Sequence, residues 1–218
     1  MTLKLYYHPL SSFCWKALIA LYENDTPFEK VLVNLGEPES RGAFLKLWPI
    51  GQFPVVMDET RDRLVPESSI IVEYLDDHYS GRTRFIPEDM DNAREVRMRD
   101  RFFDQHIHIH MQKITGDRFR PEGKTDPFGV EQARGRMATA LGMIEQGTGE
   151  RWAMGEDFTL ADVSAAPALF YADKIKPLKD TYPKTNAYLE RLKARPSFAR
   201  TLKEAEPYFH MFPQEKKS

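Results

Sequence analysis

One cysteine stands in 218 residues. With no second thiol for Cys14 to pair with, an internal disulfide framework and a multi-cysteine zinc site are both excluded, and a reducing compartment, the cytoplasm, is the expectation. Long apolar runs are missing as well. Nowhere do eighteen apolar residues run together, and the first residues enter a strand-like pattern without an apolar signal core, so neither a membrane span nor export is expected. Net charge is almost absent: 31 Lys and Arg against 33 Asp and Glu leave -2, which gives no general attraction to nucleic acid or to an anionic membrane. Neither is expected as a partner. No internal repeat occurs, and no low-complexity tract apart from the charged tail Glu215 to Ser218. What is there, 41% hydrophobic and 29% charged residues, suits a folded chain with a real core. Surface scaling gives about 10,000 Å² exposed when folded against about 37,000 Å² unfolded, so no covalent or metal staple is needed.

The hydrophobic period changes several times in the first third. Leu3, Leu5 and Tyr7 alternate like a short strand, and after His8-Pro-Leu-Ser-Ser12 the residues Cys14, Ala17, Leu18 and Leu21 recur at helical spacing. Val31 and Val33 mark a second strand, which makes a βαβ unit with parallel strands. A short helix near Ser40 to Leu47 follows. The segment Gly51 to Met57, the polar turn Asp58 to Asp62 and Leu64-Val65 then read as a hairpin, and Ile70, Ile71, Tyr74 and Leu75 as an amphipathic helix. Residues 81–91, with Gly81, Pro87 and several acids, read as a linker. Beyond it the pattern is helical throughout, with breakers near Gly116, Pro121, Gly147 and Pro177, and Pro183 and Pro196 stand where helices can begin. The expected architecture is an α/β domain over residues 1–80, the linker, and an all-helical domain over 92–218.

Three places in the first domain can hold a ligand, and each also has a plain structural reading. Ser11 and Ser12 precede the first helix, whose open N–H groups and positive dipole end favour an anion, although a serine there also serves simply as an N-cap. Phe53-Pro54 opens an apolar run. A cis bond there would turn the Phe53 backbone toward an extended peptide-like ligand, whereas an ordinary trans proline would only start a strand. Glu67-Ser68 opens the next helix and reads either as capping or as a clamp for an amino acid's carboxylate and ammonium.

Taken in order, these segments resemble the cytosolic glutathione transferases, of the bacterial type with a serine-class active site. The resemblance runs through Ser11-Ser-Phe-Cys-Trp-Lys-Ala-Leu-Ile-Ala-Leu21, Pro49-Ile-Gly-Gln-Phe-Pro-Val-Val56 and Pro66-Glu-Ser-Ser-Ile-Ile-Val-Glu-Tyr-Leu75. In the second domain Phe158-Thr-Leu-Ala-Asp162 is similar to that family's N-capping box and staple, with Asp162 in place of the usual Glu or Gln. The resemblance implies a thioredoxin-like first domain that binds glutathione as co-substrate, an electrophile pocket in the helical domain, a homodimer, and no metal. It implies Ser11 as the hydroxyl that activates the glutathione thiol, with Ser12 as the alternate. It further implies Gln52 and Phe53 as backbone contacts, Pro54 as a cis proline, and Glu67 with Ser68 as the γ-glutamyl clamp. The expected reaction is conjugation of glutathione to a small apolar electrophile, as in detoxification. A glutathione-dependent oxidoreductase or isomerase, and a non-catalytic interaction module, stay open.

Cys14 sits where thioredoxin-like redox proteins carry their second cysteine, with Ser11 in place of the attacking thiol, and it falls on the apolar stripe with Leu18 and Leu21. An inert buried thiol is expected. Tyr6 and Tyr7 lie in the first strand and are expected to pack there. In His106-Ile-His-Ile-His110, His106 and His110 share a helical face at a spacing able to hold a metal, but a third ligand is missing nearby. By analogy with the family, His106, His110 and Lys113 border the electrophile pocket. The charged helix from Arg94 to Asp104 is the candidate dimer interface.

Overall fold

The computed structural model describes residues 2–147 and 151–213, so the charged tail lies outside them. Strand β1 (Leu3–Tyr7) leads into α1 (Ser12–Glu23), β2 (Glu29–Leu32), α2 (Pro38–Leu47), β3 (Val55–Asp58), β4 (Arg63–Pro66) and α3 (Ser68–His78). The sheet order is β2-β1-β3-β4. β1 pairs in parallel with β2, as the crossover requires, and antiparallel with β3, with Leu5 opposite Val56. β3 and β4 form the expected hairpin, Val56 opposite Val65. Leu3, Leu5 and Val56 of the strands and Leu18 and Leu21 of the α1 stripe are all buried, while Val55, on the opposite face of its strand from Val56, packs in a cluster with Val33 and Phe44.

The remaining helices are α4 (Met90–Phe102), α5 (Ile109–Asp117), α6 (Pro127–Gly147), α7 (Leu160–Ile175), α8 (Pro183–Ala194) and α9 (Pro196–Ala205). A π-helical segment, Phe103–His108, joins α4 to α5, and a 3-10 turn, Glu206–Met211, follows α9. Both helix-starting prolines stand at a first helical position, where the missing N–H costs nothing. The box at α7 is present. Thr159 and Asp162 cap each other, and buried Asp162 also accepts from the Tyr188 hydroxyl and the Ala153 N–H. Burial pushes its carboxyl up, against the pull of those bonds.

Two compact units divide the chain: the residues up to Ile86 together with Pro196–Tyr208, and Pro87–Arg195 together with the residues from Phe209. The division falls inside the expected linker, but α9 joins the first unit. The reason lies in side chains that periodicity does not reveal. Trp15 of α1 packs its ring on Phe198 of α9, the Ser197 hydroxyl donates to Glu23, and Tyr22 donates to Glu204. Residues up to Ile86 are held in a similar way. Buried Asp76 accepts the N–H groups of Phe85 and Ile86, and the Asn24 amide exchanges two hydrogen bonds with the Thr83 backbone.

Asp58 ties the hairpin to α3. Its carboxylate, without accessible surface, accepts the N–H groups of Thr60 and Arg61 through one oxygen and the hydroxyls of Tyr74 and Tyr79 through the other. Burial alone would raise its pKa, but these bonds, led by the two tyrosines, hold it below the usual carboxylate range. A depressed folded-state pKa contributes stability that is present above about pH 4 and lost as the pH falls through the folded value. Asp58→Ala leaves buried donors unpaired at a cost of about 3 kcal/mol, which should lower Tm by about 6 to 12 °C. Thermal unfolding at pH 7 checks this, and a shift under 2 °C would remove Asp58 from its role as the tie.

Candidate active site

The link from β1 to α1 is a β-turn over His8-Pro9-Leu10-Ser11, closed by the Ser11 N–H donating to the His8 carbonyl at 3.0 Å. Proline at the second position presets its φ for such a turn. Three more bonds fix it. The Leu10 N–H donates to His8 Nδ1 at 3.2 Å, the buried Trp15 Nε1–H to the Pro9 carbonyl at 2.6 Å, and the Cys14 N–H to Ser11 Oγ at 3.3 Å. Ser11 is therefore the N-cap of α1, half-buried, while Ser12 is buried in the first helical position. The expectation that one serine caps the helix holds. It does not remove Ser11 from chemistry, because a hydroxyl that accepts through a lone pair still has its proton to donate.

The second element is the approach to β3. The Phe53-Pro54 bond is cis, the form the resemblance implied. Pro54 is buried, Gln52 exposed, and the Phe53 ring stacks on His8 with centroids 6.0 Å apart and planes 19° from parallel. The third is the start of α3. Glu67 holds φ 70° and ψ 118°, on the left-handed side that a side chain rarely adopts. Such a residue costs of order 1–3 kcal/mol and collects at ligand clamps. Its exposed carboxylate makes no capping bond to α3, so the plain capping reading of Glu67 fails. Ser68 is buried behind it, and the next residue, Ser69, accepts the Nζ of fully buried Lys16 from α1.

Cys14 is buried, and burial pushes its thiol up to about 12, against the smaller lowering pull of the Ser11 hydroxyl and the His8 backbone N–H. Tyr6 packs against Phe44, and Tyr7 is raised by burial first and then by Tyr208.

In the second unit the three residues assigned to the electrophile pocket are dispersed in role. His106 is exposed, its ring 5.1 Å from that of Phe102, and it borders a groove of about 400 Å³ with Arg94, Arg97, Met98, Arg101, Phe102 and Gln105. His110 is half-buried, its pKa lowered by burial and then by Arg136 and His106. Lys113 is ion-paired with Asp126, which also accepts the Gly129 N–H at the start of α6. Among the described residues no group of three or more His, Cys, Asp or Glu is placed to hold a metal ion, and no helix is long and apolar enough to cross a membrane.

Residues 5–83 match the family model for the glutathione S-transferase N-terminal domain, and residues 127–191 that for the C-terminal domain. The chain belongs to the cytosolic glutathione transferase family. It has the transferase fold, a thioredoxin-like four-stranded unit followed by helices. A glutathione S-transferase from Methylobacillus flagellatus, solved with glutathione bound, is 26% identical with a TM-score of 0.83 over 91% of this chain and 98% of its own. Glutathione S-transferase 3 of Zea mays is 29% identical over 92% of this chain and 93% of its own length. A glutathione S-transferase of Silene vulgaris is 27% identical over 93% and 97%. Two features of the site escaped sequence reading: the left-handed Glu67 and the part played by His8. A histidine two residues before a backbone N–H that needs an acceptor was the only sign of the latter.

With a pKa of about 12, roughly one Cys14 thiol in ten thousand is ionised at pH 8. Native protein should therefore leave an aromatic disulfide reagent unreacted over an hour and titrate one thiol only in guanidinium. Labelling of the native protein at the rate of free cysteine would refute the burial argument.

Proposed function

We propose that this transferase conjugates glutathione to small apolar electrophiles, with Ser11 as the group that stabilises the thiolate. Glutathione's thiol, near pKa 8.5, is only about 3% ionised at pH 7. Lowering that value by two units requires about 2.7 kcal/mol in favour of the anion. A hydrogen bond to a charged acceptor contributes about 1.5–3 kcal/mol and a helix N-terminus about 0.3–1, so the two together suffice.

The observation that carries the reading is the state of the Ser11 hydroxyl. It caps α1 as an acceptor, from the Cys14 N–H, and so keeps its proton for a sulfur brought to the helix mouth. Cys14 is a weak competitor for that proton. A thiolate is a much stronger acceptor than the neutral thiol that burial maintains at Cys14. Ser12, at 5% exposure, is the poorer candidate. On this reading the uncommitted carboxylate of Glu67 and the Ser68 hydroxyl hold the γ-glutamyl group, and Gln52 and Phe53 offer backbone contacts beside Pro54. The apolar electrophile is taken up by the helical unit, with His106, His110 and Lys113 as its assigned border; Lys113 would act there with its charge already neutralised by Asp126. No metal takes part. The protein works in the cytoplasm as a homodimer through α4, and sedimentation at micromolar concentration showing a monomer would remove the dimer.

Ser11→Ala should leave glutathione binding by calorimetry within about threefold but lower kcat for a chloronitrobenzene electrophile by roughly 10- to 100-fold, the size of a lost charge-assisted bond. Glu67→Ala should instead raise KM for glutathione by at least tenfold. No heat of glutathione binding to folded protein, or full activity in Ser11→Ala, overturns the proposal.

A further inference from the structure

We propose that His8 is the positioning residue for Ser11: its neutral ring accepts the Leu10 N–H, and so holds the turn that presents the serine hydroxyl until the ring is protonated. The inference rests on the reading of Ser11 as thiol activator and adds to it the regulation of that group by pH.

The geometry gives His8 two grips on the turn. Its carbonyl accepts the Ser11 N–H at 3.0 Å, and its Nδ1 accepts the Leu10 N–H at 3.2 Å. The second bond is the kind by which Asn or Asp closes a turn on the N–H two residues ahead, with a ring nitrogen in place of a carboxamide oxygen. It also fixes the tautomer. Nδ1 can accept only if the neutral ring's proton is on Nε2. The ring has little freedom to seek another arrangement, since one face stacks on Phe53 and the Tyr208 ring meets it edge-on at 6.3 Å. A proton on Nδ1 would set two donors against each other 3.2 Å apart, and the bond would be lost.

The titratable groups around the ring do not offset this. Tyr208 of the 3-10 turn meets the ring edge-on, and burial raises both the adjacent Tyr7 of β1 and Cys14 of α1, so neither of those two brings a negative charge in the acid range. Glu204 of α9 acts on Tyr7, not on His8, and is itself bound to Lys30, Tyr22 and Arg200. Burial is what lowers the His8 pKa below 6.5, so the turn stays intact at neutral pH and opens as the pH falls through the lowered value. Phe53 lends the ring a second consequence. The same imidazole links the helix mouth, proposed to receive glutathione's sulfur, to Phe53, proposed as a backbone contact.

The test is the slope of log kcat against pH from 4.5 to 7.5 at saturating glutathione. Two protons, one on the thiol and one on His8, should give the wild type an acid limb whose slope approaches two. His8→Asn supplies Oδ1 in the place of Nδ1. It should retain most of the rate at pH 7.5 and show a slope of one, while His8→Leu should lose at least tenfold in kcat at pH 7.5, with KM for glutathione moved less, and that deficit should narrow as the pH falls and the wild-type turn opens. A slope of one in the wild type, or of two in His8→Asn, overturns the inference and leaves the Ser11 reading intact. If Ser11→Ala is fully active, or glutathione does not bind, the Ser11 reading fails instead. A readout free of turnover is the Leu10 amide resonance of the wild type, which should titrate with a midpoint below 6.5. A Leu10 amide that does not move in that range also overturns the inference.

Discussion

The turn from His8 to Ser11 is where β1 passes the chain to α1, and the groups proposed to act on a thiol take their places from it. Four hydrogen bonds over eight residues specify its shape: two within the turn itself, one from the Cys14 N–H to the Ser11 hydroxyl, and one from Trp15, whose ring is wedged against α9. A turn held by a single bond would sample several positions for the Ser11 hydroxyl. A displacement of 1 Å in a group that stabilises developing charge is enough to cost most of its effect. The packing of α9 on α1 is therefore part of the site's construction, although α9 contributes no reacting group.

The same logic of over-determination runs through the rest of the first unit, in the form of carboxylates buried with several donors each. Asp58 fixes the hairpin to the end of α3, Asp76 fixes the segment after α3, and Glu23 receives Ser197 and Thr83. Each lies at a junction that the sheet's own ladder does not reach. A carboxylate there offers up to four lone-pair sites, so one side chain satisfies backbone and hydroxyl donors from two elements at once. The cost of desolvation makes such a group strongly destabilising when a partner is removed, which gives the junction a single arrangement. α3 is thus held at its far end by Asp58 and at its first turn by Lys16. That support on both sides can sustain the left-handed conformation of Glu67.

Elements with a strong period were legible in the residues alone. The alternation at Leu3, Leu5 and Tyr7 and the stripe at Cys14, Ala17, Leu18 and Leu21 locate β1 and α1, and Pro183 and Pro196 mark the starts of α8 and α9. What stayed hidden depends on partners distant in sequence. The unit to which α9 belongs is set by Trp15 and Glu23, some 180 residues earlier, and an amphipathic helix does not announce which surface will cover it. The π-helical turn at Phe103–His108 was hidden for a related reason: an inserted residue shifts the period by about 100°, and the mixed run His106 to His110 gives no clean stripe against which to notice it. In the site itself, Ser11, Phe53-Pro54 and Glu67-Ser68 were legible as an ordered set, each with a plain alternative. For Glu67 the capping alternative falls once its φ and the missing capping bond are known. For Ser11 the capping bond exists, and both descriptions apply to one hydroxyl.

On the proposed reading, Cys14 shows why the sulfur to be activated is one brought from outside. The chain has a thiol of its own three residues beyond Ser11, in the first turn of the same helix, within reach of the same hydroxyl and of the His8 backbone N–H. Helix N-terminus and hydroxyl are each favourable to an anion, yet the thiol is pushed from 9 to about 12, a net penalty of about 4 kcal/mol on ionisation. Burial decides that balance: the side chain lies on the apolar face with Leu18 and Leu21, and the charged form has lost its water. On the proposed reading, a sulfur arriving at the open side of the turn would meet the dipole and the hydroxyl without that loss, and the same two contributions would act on a group near its ordinary pKa of about 8.5. The serine at position 11 completes the argument. With cysteine at this half-buried position the site would hold a nucleophile of its own, whereas a hydroxyl near pH 7 keeps its proton and, on the proposed reading, is left to donate it in a hydrogen bond to a thiolate.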